Sequence, residues 1–111
     1  MRVHAEREDG ILIATAVGRV DGANALEFQN ALQAAIGDDD DVILDLEGLS
    51  YISSAGLRVF LLIAQQVKRR SGRFSVCSLS DSIDKVFTIS GFDRVIPTHG
   101  SRSEACAAYA G

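Results

Sequence analysis

Residues Val42 to Val67, VILDLEGLSYISSAGLRVFLLIAQQV, narrow the possible folds of this chain further than any other stretch. Val42, Ile43, Leu44 and Leu46 are almost continuously apolar, as in a central strand covered on both faces. Leu57, Val59, Phe60, Leu61, Ile63, Ala64 and Val67 then recur on a broad helical arc, with Arg58, Gln65, Gln66 and Arg69 opposite and Leu62 inside that polar arc. Between the two lies a loop ending in Ser53, Ser54, Ala55 and Gly56. A strand that gives way to a helix in this manner belongs to an α/β protein, and the helix start is its natural site. Amides of a first helical turn lack internal partners, and the helix dipole favours negative charge there.

The flanking segments extend the same pattern. Arg2 to Glu8, the turn dipeptide Asp9-Gly10 and Ile11 to Val20 read as an opening β-hairpin. Asp21 is a candidate N-cap for a helix carrying Ala25, Phe28, Leu32, Ala35 and Ile36, which Gly37 stops. Arg73 to Leu79 is a further strand, and Ser80-Asp81 opens a helix with Ile83, Val86 and Phe87 inward. Val95-Ile96 gives a short last strand ended by Pro97, and Ser101 with Glu104 has the spacing of a capping box for a terminal helix. The predicted order is β-β-α-β-α-β-α-β-α. Right-handed crossovers turn it into a mostly parallel central sheet with helices packed on it, one domain over residues 1–111.

Composition excludes several function classes. The net charge of -4 offers no basic stripe for a nucleic-acid backbone. MRVHAERE has no apolar signal core, and the longest apolar run, Val59 to Ala64, is too short to span a membrane, so a cytoplasmic protein is expected. Cys77 and Cys106 are too far apart for a metal-binding pair and read as reduced, buried thiols. Asp38 to Asp41 is a run of four carboxylates without the spaced ligands of a calcium loop, and reads as a solvated turn. His4 and His99 are isolated, so neither a metal nor a cofactor is called for.

Catalytic groups are scarce. Ser53-Ser54-Ala55-Gly56 lacks the preceding glycine of a nucleophile elbow, and Gly48 and Gly56 without a lysine do not make a phosphate-binding loop. What stands is a binding domain, not an enzyme, whose exposed helix start is recognised or modified by something else. Arg58 and Leu62, on the exposed arc beside the serines, are candidate partner contacts.

The run VILDLEGLSYISSAGLRVFL, preceded by GRVDGANALEFQNAL and followed by GRFSVCSLSDSIDKVFTISGFDRVIPTHGSRSEA, closely resembles the STAS domain of bacterial anti-sigma-factor antagonists. The resemblance implies a small α/β domain that binds an anti-sigma factor of the serine-kinase type and so frees a sigma factor. The kinase would switch the antagonist off by phosphorylating a hydroxyl at the start of the central helix, and a PP2C-like phosphatase would restore it. The usual pattern there is Asp-Ser-Ser/Thr-Gly. Aligned on Gly56, Ser53 stands where the Asp belongs and Ala55 at the usual acceptor, while Asp21 matches the Asp before the first helix. Three readings stay open: Ser54, or less plainly Ser53, is the acceptor; the domain binds constitutively with Ser53 as a helix cap; or it is an adaptor or small-ligand subunit of a signalling or transport assembly. On this resemblance the partner-binding set is Asp21, Ser53, Ser54, Gly56, Arg58 and Leu62.

Overall fold

The computed structural model describes residues 1–110. An antiparallel hairpin opens the chain, with β1 (Arg2–Glu8) paired to β2 (Ile11–Val20) through the turn at Asp9 and Gly10, both in the left-handed region. The rest follows as α1 (Ala25–Ile36), β3 (Asp41–Asp45), β4 (Leu49–Ile52), α2 (Ser54–Arg69), β5 (Arg73–Cys77), α3 (Asp81–Ser90), a 3-10 turn (Phe92–Arg94), β6 (Thr98–His99) and α4 (Arg102–Ala110). The sheet runs β1-β2-β3-β5-β6, with β4 beside the far end of β2, and every pairing except the hairpin is parallel. The mostly parallel sheet with helices packed on it is therefore as the periodicity predicts.

Alternation along the strands divides the core into two layers. Leu12, Ala14, Val42, Leu44 and Val76 join Phe28, Leu32, Phe60, Ile63 and Phe87 in one buried cluster under α1, α2 and α3. Phe28, Phe60, Phe87 and Phe92 link those helices by successive ring contacts at 5.8, 5.8 and 6.0 Å, with α2 in the middle. Ile11, Ile13, Ile43 and Cys77 face the other way, onto Ala105, Cys106 and Tyr109 of α4. The Tyr109 hydroxyl donates to the Val42 carbonyl at 2.7 Å and lies 3.0 Å from Ser75 Oγ, which fastens the end of α4 to β3 and β5.

Several local expectations change. Between β3 and α2 the chain forms an extra strand, β4, whose Leu49 and Ile52 are buried while Ser50 and Tyr51 are exposed. The last strand is Thr98–His99, after Pro97 and not before it. Val95 and Ile96 close the 3-10 turn, and Ile96 is buried as a core plug. Asp21 does not cap α1 directly: Asn24 is the N-cap residue, and the Asp21 carboxylate accepts from the Ala23 and Asn24 amides one turn earlier. Cys77 is buried, but Cys106 is only partly so. The acidic turn is not merely solvated: Asp39, Asp40 and Asp41 pair with Arg7, Arg70 and Arg73 at 2.6, 3.7 and 2.9 Å. Ser101 and Glu104 do cap α4, although the Glu104 carboxylate reaches back to the Gly100 amide.

Candidate functional site

Backbone pairing at the end of β2 sets the position of the α2 N-terminus. The Ser53 amide donates to the Val20 carbonyl at 2.9 Å, so the strand-to-helix junction is tied to the sheet. Ser53 is extended (φ -89°, ψ 174°), and its Oγ accepts the Gly56 N–H at 3.3 Å, the geometry of an N-cap. Gly56, expected among the partner contacts, is instead buried. A Cβ there would lie 2.7 Å from Ile52 Cγ1 and 2.9 Å from Val20 Cγ1, so glycine is what lets the helix close onto the sheet. With Gly56 beneath, Ser54 and Ala55 are left exposed on top.

Two grooves meet at these residues. On the α1 side, Leu26 and Gln29 face Arg58, Val59 and Leu62, and on the α3 side Tyr51, Val86 and Ser90 border the same Ser54-Ala55 corner. Arg58 is exposed and Leu62 half-buried, so the leucine set inside the polar arc is a groove wall more than a stray surface residue. Leu26 is 69% exposed and Tyr51 42%, with the Arg19 guanidinium 4.4 Å above the Tyr51 ring. Asp21 supports the corner from below. Its amide donates to Asn24 Oδ1, Asn24 Nδ2 donates to the Arg19 carbonyl, and the Asp21 carboxylate closes the turn that carries Gly22 to the groove.

The structure therefore places Ser54, Arg58 and Leu62 on one groove and Ser53 with Ser54 on the other, while Asp21 lines neither and only precedes Gly22 at the edge of the second. It does not bring a histidine to them: His99 lies by Leu79 and Asp84 at the end of β6, and His4 is exposed on β1. Among the described residues no three metal-ligating side chains cluster, and no helix is long and apolar enough to cross a membrane. Leu26 and Tyr51 also line these grooves but were not singled out by sequence reasoning. The available signal was weak: Leu26 is a leucine off the apolar stripe of α1, and Tyr51 an aromatic in an apparent loop.

The back of the sheet holds a second polar centre. Asp45 is buried, and its carboxylate takes Arg102 Nε and Nη2 at 3.1 and 3.0 Å, while Arg102 also binds Glu6 at 2.6 Å. Burial pushes the nearby Cys77 thiol up to about 11, and the Cys106 and Tyr109 hydrogens are likewise held more tightly, chiefly by burial.

Comparison with known proteins gives this geometry its context. BtrV of Bordetella bronchiseptica, which carries the name of an anti-sigma factor antagonist, is 42% identical over 110 residues, covering 98% of this chain and 95% of that protein. The crystal structure of an anti-sigma factor antagonist from Mycobacterium paratuberculosis superposes with a TM-score of 0.89 at 20% identity, covering 99% and 94% of the two chains. The Bacillus cell fate determinant SpoIIAA in its phosphorylated form gives 0.71 at 21% identity, covering 97% and 99%. The STAS domain family model matches residues 2–105, and the chain belongs to the STAS domain family.

Proposed function

We propose that this protein is an anti-sigma-factor antagonist. In this reading it binds an anti-sigma factor of the serine-kinase type through the α2 N-terminus and its flanking grooves, and so releases a sigma factor in the cytoplasm. It acts by binding and not by catalysis. Support comes from the 42% identity to BtrV along nearly the whole chain, together with a surface that presents apolar and charged side chains around an exposed serine. In the same reading the partner kinase phosphorylates Ser54 and a PP2C-like phosphatase reverses it.

The observation that carries the choice of serine is the division of labour between the two hydroxyls. Ser53 Oγ is taken up as the helix cap, whereas Ser54 is the first helical residue, exposed, and its hydroxyl makes no hydrogen bond among the described residues. Ala55, the next exposed residue, has no hydroxyl to modify. A phosphate on Ser54 would put negative charge at the centre of the docking surface without unfolding anything, and α2 has no acidic side chain in its first turn to oppose it.

Incubation of the protein with the anti-sigma kinase and ATP, followed by mass mapping of the peptides, tests the reading. Phosphate on Ser54, lost in Ser54→Ala, is expected, as is weaker binding of the modified protein to the kinase. Unmodified serines with binding retained would remove the switch and leave a constitutive binder. No binding to any kinase-type anti-sigma factor would remove the function.

A further inference from the structure

Arg58 is the one charged residue in the lining of either groove that reaches Ser54. Four other arginines, Arg7, Arg70, Arg73 and Arg102, each hold a carboxylate, and Arg2, Arg19, Arg69 and Arg94 line neither groove. Arg58 is exposed, and its guanidinium has no hydrogen-bond or ion-pair partner among the described residues. It lies four residues after Ser54 on α2, the spacing that places two side chains one above the other on a helix face, and both border the same groove. Helical side chains lean toward the N-terminus, so Arg58 extends over the turn that begins with Ser54.

We infer that Arg58 is the internal counter-ion of phosphorylated Ser54. The inference rests on the phosphorylation proposed above but not on the helix end alone, since it requires a particular guanidinium. In the transfer, a P–O bond forms at Ser54 Oγ, the bond joining the γ-phosphoryl group of ATP to ADP breaks, and the hydroxyl proton passes to a base of the kinase. The resulting dianion then closes onto Arg58. One modification thereby makes two changes at the docking surface: it adds negative charge and withdraws the only cation of the groove linings. Any partner that reads Arg58 with a carboxylate loses that contact while the backbone stays where it is.

Phosphoserine placed at position 54 during translation, by suppression of an amber codon, provides the modified protein without any kinase. Phosphorus NMR titration should give a second phosphate pKa about 0.4 lower in the otherwise natural chain than in Arg58→Gln, with Arg58→Lys in between. Amides at the helix start act equally in all three proteins and cancel in the comparison. The Arg58 side-chain Nε–H resonance should also shift on phosphorylation. Equal pKa values in the natural and Arg58→Gln proteins, with an unmoved Nε–H resonance, would overturn the inference. Mass mapping of the kinase product is a separate readout: phosphate found on Ser54 with a flat titration rejects the counter-ion alone, whereas a shifted titration with no kinase-borne phosphate rejects the switch alone.

Discussion

Ser53 Oγ accepts the Gly56 N–H at 3.3 Å, while Ser54, the next residue, leaves its hydroxyl exposed. Two adjacent serines thus do separable jobs, and stability measurements can tell them apart. Ser53→Ala removes a cap and is expected to cost about 1 kcal/mol, read as a lower urea midpoint at unchanged slope. Ser54→Ala touches no internal partner and should fall within about 0.5 kcal/mol of the parent. If instead Ser54→Ala is the costlier change, the assignment of cap and acceptor is reversed.

On the opposite face of the sheet, the buried Asp45 carboxylate and the Arg102 guanidinium join β3 to the first turn of α4. Removing one partner of a buried pair leaves an uncompensated charge. The arginine side chain is 32% exposed, so water takes up part of the loss, and Arg102→Ala should cost roughly 2 kcal/mol. Adding Asp45→Asn should recover part of it, because the asparagine carbonyl is neutral and still able to accept the Glu47 amide that Asp45 now binds at 3.1 Å. Denaturant titration of the two single variants and the double variant checks this, and strict additivity would contradict a direct pair.

These two relationships also mark what was legible in the sequence. The Ser53 cap is local chemistry, readable from hydroxyl residues placed before a helical apolar pattern. The sheet was readable because Leu12, Ala14, Val42, Leu44 and Val76 must share a face, which alternation predicts. The Asp45–Arg102 pair spans 57 residues, and nothing near either residue announces the other. β4 is hard to read because its four residues pair only with the end of β2, across a register shift between Gly18 and Arg19. β6 was displaced for a similar reason. Ile96 is apolar because the core requires it, but the strand forms where β5 offers partners, Val76 to Thr98 and Cys77 to His99. Burial and strand pairing are different demands, and the apolar pattern reports only the first. Leu26 was invisible as a contact because a single exposed leucine is common on any surface, and only the groove beside it gives it meaning.

Cys77 gives a prediction against pH. Its folded pKa of about 11 stands above the ordinary thiol value, so the native state holds the proton more tightly than the unfolded chain does. The associated stability is fully present below the unfolded value and is lost as pH rises through the folded one. Stability should therefore fall between about pH 9 and 11, with a contribution from Cys77 on the order of 2 kcal/mol. Cys106 and Tyr109, also raised, act in the same direction, so Cys77→Ala should flatten the decline without abolishing it. At pH 8, iodoacetamide should modify the partly exposed Cys106 well before the buried Cys77, which should react only as the protein unfolds. Equal labelling rates in the native protein would refute this.

Leu26 tests the proposed docking surface independently of phosphorylation. It is 69% exposed on α1 and faces Leu62 and Arg58 across the groove beside Ser54. Truncating so exposed a side chain removes little packing, so Leu26→Ala should leave stability within about 0.5 kcal/mol of the parent. Leu26→Asp should keep the fold as well, but it places a carboxylate in a groove whose only lining charge is Arg58. If the anti-sigma factor seats an apolar group between Leu26 and Leu62, the aspartate must be desolvated or left facing that group. Affinity should then drop at least about tenfold, while the alanine variant loses less. Ile89→Asp supplies the control: this α3 residue is 86% exposed and does not line the groove, so the same charge there should weaken binding far less. Binding isotherms of the three variants with the partner kinase decide it, and a larger loss at Ile89 than at Leu26 would centre the docking surface on the α3-side groove and away from the α1 side.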